Sequence, residues 1–145
     1  MSKELPQIAD AVKDAIHSGL FSTPITAVRT QNPEFTREDL VGLRCVVVPV
    51  AVRPRPLSRR LSEYDYDIHV GLFAPLVSDA NAEFDAYYGL SEEVEALFRR
   101  KRLVGYPRAA WVGSSWRNTE AYRPNLVREA KVVGVVLVLT FRVVR

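Results

Sequence analysis

Apolar positions recur at three- and four-residue spacing at the start of the chain, where Leu5, Ile8, Ala11, Val12, Ala15 and Ile16 fall within residues 4–18. That spacing lines one face of an α-helix, with Pro6 tolerated in the first turn and Gly19 as the stop. Residues 25–30, ITAVRT, alternate weakly and predict a short strand; PEFTREDL then reads as a turn with a brief helical start capped by Thr36. From Leu43 to Val52 the chain is apolar and β-branched, the pattern of a strand buried on both faces, with Pro49 marking an edge or a bulge. Its partner runs from Glu63 to Leu72. There Tyr64, Tyr66, Ile68 and Val70 share one face, and Glu63, Asp65, Asp67 and His69 share the other.

Residues 53–62 are expected to connect these two strands as a hairpin loop, long for its type and stiffened by Pro54 and Pro56. A helix is predicted from Asp79 to Arg102, with Phe84, Tyr87, Tyr88, Leu90, Val94, Leu97 and Phe98 on one side, and with Gly89 and Ser91 as places where it could divide. Acidic residues crowd its first part and RRKR ends it, as the helix dipole favours. Residues 109–116, AAWVGSSW, predict a strand with Trp111 and Trp116 on opposite faces, followed by a polar loop from Arg117 to Asn125. The chain closes on KVVGVVLVLTFRVVR. Val133, Val135, Leu137, Leu139, Phe141 and Val143 project to one side of that strand and Val132, Val136 and Val138 to the other, so both faces need cover.

The expected class is therefore α+β, a single domain over residues 1–145, with a mainly antiparallel sheet of about five strands and two principal helices packed on one face. The second sheet face is covered either by a neighbouring subunit or by the chain's own long loops. A length of 145 residues and 48% hydrophobic content suit one core that buries roughly two-thirds of the unfolded chain's surface. The single cysteine, Cys45, sits in LRCVVVPV, where packing is its expected role. Charges at positions 3, 4, 10, 13 and 14 interrupt the N-terminus as a signal peptide would not allow. Ten uncharged residues lie between Lys131 and Arg142, about half of a membrane-spanning helix. The expectation is a soluble protein, intracellular at synthesis, with no membrane partner.

The formal net charge of +3 conceals a segregation by sequence. Residues 1–60 hold nine basic and six acidic side chains, residues 61–98 hold nine acidic and none basic, and residues 99–145 hold eleven basic and two acidic. A dedicated nucleic-acid binder presents one basic surface. An acidic block beside a basic block suits self-complementary assembly, unless folding interleaves the two and they neutralise within a monomer.

Candidate chemistry is sparse. The sequence holds no glycine-rich phosphate loop, no Cys/His cluster at metal spacing and no Gly-x-Ser-x-Gly elbow. His17 lies at a helix end and His69 stands alone on a strand. Glu63, Asp65, Asp67 and His69 at two-residue spacing offer oxygen ligands to a divalent cation, but carboxylates alternating along a strand are more often its solvated or interfacial side. Tyr64 and Tyr66 near arginines suggest base stacking, yet the carboxylates between them would repel phosphate. No catalytic, cofactor or metal residues are assigned.

The order of LPQIADAVKDAI, LRCVVVPVAV, LSEYDYDIHVGL, FRRKRL, RAAWV and VLVLTFRVVR resembles the tail terminator (tail completion) family of long-tailed bacteriophages and related tail-like particles, from about Leu5 to Arg145. The resemblance implies a virion structural protein rather than an enzyme. It implies a homo-oligomeric ring, typically a hexamer, that caps the head-proximal end of the tail tube, ends tube polymerisation and joins the neck of the capsid. Its partners would be copies of itself, the tail tube protein and a neck or head-completion protein, with DNA passing through without sequence-specific binding. It would assemble in the host cytoplasm and reside at the head-proximal end of the tail. A head-closure or neck adaptor protein is the nearest alternative, and a small nucleic-acid-binding domain using Arg53 to Arg60 and RRKR the next.

Under the ring reading, opposite charges on opposite sides of a subunit serve a heterologous interface. Arg53, Arg55, Arg59 and Arg60 become candidates for docking on the tube or the neck. Asp65, Asp67, Glu92, Glu93 and Glu95, with Arg99, Arg100, Lys101 and Arg102, become candidates for contacts between subunits.

Overall fold

A computed structural model describes residues 4–30, 43–75, 80–118 and 132–145. In chain order they form α1 (Glu4–Ser18), β1 (Ala27–Arg29), β2 (Arg44–Pro56), β3 (Ser62–Pro75), α2 (Ala80–Phe98), β4 (Arg102–Leu103), β5 (Tyr106–Asn118) and β6 (Val132–Val144). The strands make one sheet in the order β1-β2-β3-β6-β5-β4. β1 runs parallel to β2 and the other pairs are antiparallel, so the α+β class holds while the sheet is six-stranded and mixed. The extra strand, β4, is two residues long and too short to leave a periodic signal. The helical start at Thr36 and the polar loop beyond Asn118 lie outside the described residues.

Helix α1 buries Ile8, Ala9, Val12 and Ile16, and it stops where the Gly19 N–H bonds to the Ile16 carbonyl at 3.1 Å. Helix α2 runs unbroken through Gly89 and Ser91, and the Ser91 hydroxyl bonds back to the Tyr88 carbonyl at 2.6 Å, so it is satisfied inside the helix. It ends at Phe98, short of the expected Arg102. Arg100 there takes a left-handed φ of 59° and the Lys101 N–H bonds to the Phe98 carbonyl, a helix-closing geometry that turns the chain into β4.

Strand β2 continues four residues past the expected Val52, and the loop shrinks to residues 57–61. The register explains why: Arg53 lies opposite Asp65 and Arg55 opposite Glu63, so opposite charges meet across the ladder. Pro54 and Pro56 are tolerated because β1 pairs only with Cys45 to Val47, leaving the rest of that edge without a described partner strand. Of the edge or bulge expected at Pro49, the register shift between Pro49 and Ala51 is a bulge.

Both helices pack on one sheet face, over Cys45, Val47, Tyr66, Ile68, Val70, Leu72 and the β6 residues Val135, Leu137, Leu139, Phe141 and Val143. The opposite face carries a second, smaller cluster of Val46, Phe73, Val136 and Val138, backed by Val48. These side chains are already buried within a single chain, so this part of the face needs no neighbouring subunit. The Phe73 ring lies over the two strand glycines Gly71 and Gly134, filling the space their missing side chains leave.

Candidate functional site

Beyond the Val46–Phe73 cluster, the face opposite the helices turns from apolar to charged. The period of two along each strand places Arg53 and Arg55 of β2, Glu63, Asp65 and Asp67 of β3, and Thr140 and Arg142 of β6 side by side. Asp67 Oδ1 receives Arg53 Nη2 at 2.9 Å and the Thr140 hydroxyl at 2.8 Å. Asp65 is gripped by the Arg142 fork, at 2.8 Å to Oδ1 and 3.1 Å to Oδ2. Arg142 also reaches Glu63 at 2.8 Å, and Glu63, which is buried, takes a second guanidinium from Arg55.

The Arg142 hydrogen bonds hold the Asp65 carboxyl below the usual aspartate range against the opposing effect of its partial burial, with Arg53 and Arg55 adding to the pull. Among the described residues no group of three or more His, Cys, Asp or Glu side chains is arranged to hold a metal ion. The carboxylates considered as ligands face arginines instead.

The structure thus pairs several of the sequence candidates with one another. Arg53 and Arg55 are engaged by Asp67 and Glu63, and Asp65 by Arg142, all inside one chain. Glu95 is also internal: it is buried under α2, where it accepts from Arg99 Nε at 2.7 Å and from the Ser114 hydroxyl at 2.9 Å. Glu93 is exposed and takes the Ser22 N–H at 2.8 Å and its hydroxyl at 2.5 Å. Glu92, Arg100, Lys101 and Arg102 are exposed. Arg102 donates to the Pro107 carbonyl at 3.1 Å.

Arg59 and Arg60 occupy the hairpin tip and form no ion pair among the described residues. The tip is tightly built. Leu57 N–H bonds to Leu61 O at 2.9 Å, and the Ser58 hydroxyl accepts the Arg60 and Leu61 N–H groups at 3.3 and 3.1 Å. Leu57 and Leu61 flank the arginines and are exposed.

Two features escaped the sequence. Trp111 and Trp116 point to the same face, because a bulge between Trp111 and Gly113 inserts one residue and cancels the odd spacing. Each indole N–H then has a serine: Trp111 donates to Ser114, which donates to Glu95, and Trp116 donates to Ser91, at 2.8 and 2.9 Å from the two indoles. The glycine inside AAWVGSSW was the available signal. The second is Glu4, buried, which accepts from the Tyr66 and Tyr106 hydroxyls at 3.2 and 2.7 Å and pairs with Arg145. No local pattern announces a contact between residues so far apart in sequence.

No family model matches the chain, and no curated protein matches it. Several solved structures match, among them a chain that overlays with a TM-score of 0.52 at 19% identity, covering 99% of this chain and 96% of that one. The likeness extends to the fold. No helix among the described residues is long and apolar enough to cross a membrane.

Proposed function

We propose that this chain is a tail terminator of a long-tailed phage or a related tail-like particle, assembling as a ring, hexameric in the family it resembles, on the head-proximal end of the tail tube. The ring ends tube growth and receives the neck, and the protein carries no catalysis. The observation that carries the reading is the β2–β3 hairpin. It ends in a braced knob where Arg59 and Arg60 lack carboxylate partners among the described residues and two leucines face solvent. A preorganised knob of mixed basic and apolar character suits docking on protein, since its ordering cost is met before the partner arrives. The knob replaces the wider arginine loop as the docking element, because Arg53 and Arg55 are engaged within the sheet.

The order of elements and the α+β frame support the same reading. Particles assembled without the chain should show tubes of unregulated length and heads without tails under the electron microscope. Particles with normal tubes joined to heads would overturn the proposal.

A further inference from the structure

The outer end of the charged sheet face holds an open recess of about 380 Å³, lined by Arg102, Arg108, Ala110, Val112, Arg142 and Val144. Arg142 is held by Asp65 and Glu63, whereas Arg102 is bonded to a carbonyl oxygen and Arg108 forms no ion pair among the described residues. Val112 and Val144, on its floor, are 38% and 49% exposed. Two guanidiniums without carboxylate partners among the described residues, beside exposed valines, call for a partner that brings both negative charge and apolar surface.

The chain itself carries such a surface, on the far side of the molecule. The outer face of α2 exposes Ala82, Asp85, Ala86, Glu92 and Ala96, and no basic residue occurs between Ala80 and Phe98. Asp85 and Glu92 are seven residues apart, which sets them two turns apart on one line, about 10 Å along the axis. Between them lies Gly89, where an added Cβ would meet nothing within 4 Å. The face is acidic and carries several small side chains, and Glu93, on the same side, is held by the Ser22 N–H and hydroxyl.

The helices and the recess lie on opposite sides of the sheet, so the two surfaces cannot meet within one molecule. We propose that the outer face of α2 of one copy docks into the recess of the next, with Asp85 and Glu92 meeting Arg102 and Arg108, and with Ala82, Ala86 and Ala96 covering Val112 and Val144. The contact is heterologous and therefore closes into a ring or runs on as a filament. It rests on the ring reading and names the surfaces that build the ring. Phosphate fits the recess less well: Asp65 and Glu63 stand directly behind Arg142, and no aromatic ring lines the recess to stack a base.

The test uses two variants of exposed residues, Arg102→Glu with Arg108→Glu, and Asp85→Lys with Glu92→Lys. Each alone places like charges across every contact and is expected to weaken self-association at least about tenfold in sedimentation velocity, a loss of about 1.4 kcal/mol or more. Mixed in equal amounts they make both kinds of contact complementary, so association should recover. As an independent readout, Ala86→Cys mixed with Val112→Cys should give an interchain disulfide, with buried Cys45 staying out of the reaction.

Rings that persist in both charge variants, or variants that are not rescued on mixing, overturn the pairing and leave the ring reading standing. A wild-type chain that never self-associates, in solution or on tube ends, overturns both. Binding of a duplex oligonucleotide that the arginine variant loses, without recovery of association on mixing, would assign the recess to nucleic acid and overturn the proposal.

Discussion

Arg142 Nε lies 2.8 Å from Asp65 Oδ1 on the adjacent strand, and the same guanidinium meets Glu63 at 2.8 Å. Arg142 comes from the basic C-terminal block of the sequence, and Asp65 and Glu63 from the acidic middle block. Part of the segregation along the chain is therefore cancelled by strand order, which seats β6 beside β3.

Replacing Arg142 by glutamine leaves buried Glu63 with Arg55 alone and strips Asp65 of its fork. Because Arg142 is partly solvated, the expected cost is about 1–3 kcal/mol, below that of breaking a fully buried pair. A urea titration should show a lower midpoint with an unchanged slope.

Asp65 also predicts an acid dependence. Its folded pKa is depressed mainly by the Arg142 hydrogen bonds, so the unfolded chain binds the proton more readily. The stabilisation is therefore complete above the ordinary aspartate value of 3.8 and is lost as pH falls through the lower folded value. Urea midpoints across the acid range should fall on this limb for the wild type, and Asp65→Asn should flatten part of the fall.

The serine relay beneath α2 offers a separate probe. Ser114→Ala removes the acceptor of the Trp111 indole N–H and one donor to buried Glu95, at an expected cost of about 1–2 kcal/mol. Near-ultraviolet circular dichroism should change with it, since the indole loses its anchor while the strands stay paired.

Two glycines of the sheet should respond differently. A Cβ at Gly134 would lie 2.5 Å from Phe73 and 2.7 Å from the Leu72 carbonyl oxygen, whereas at Gly71 it meets side chains of Phe73 and Val46 only. Gly134→Ala is expected to cost about 1–3 kcal/mol whether or not Phe73 is trimmed to leucine, while that second change should relieve much of the cost of Gly71→Ala. Thermal or urea unfolding of the four variants checks the contrast.

Much of the frame was legible in the sequence because the signals were local and periodic. The α1 stripe, the two-faced β6 run and the Tyr/Asp alternation of β3 each name a face without reference to the rest of the chain. The failures share a cause. RPRP reads as a loop when viewed alone and as a strand only when Glu63 and Asp65 are placed opposite it. The two tryptophans share a face only because one inserted residue shifts the pleat. The recess draws on residues of β4, β5 and β6, so its lining existed in no single window of sequence. The arginines of residues 53–60 looked equivalent, and the fold separates them into a sheet pair and a tip pair.

If this chain ends a tail tube as a ring, it occupies a single place in the particle. Gold labelling of a tagged, functional chain in intact particles should place one compact cluster of label per particle, at the junction of tail tube and neck. Label along the tube, at the distal tip, or absent from particles whose tubes end normally would show that the chain is not a tail terminator.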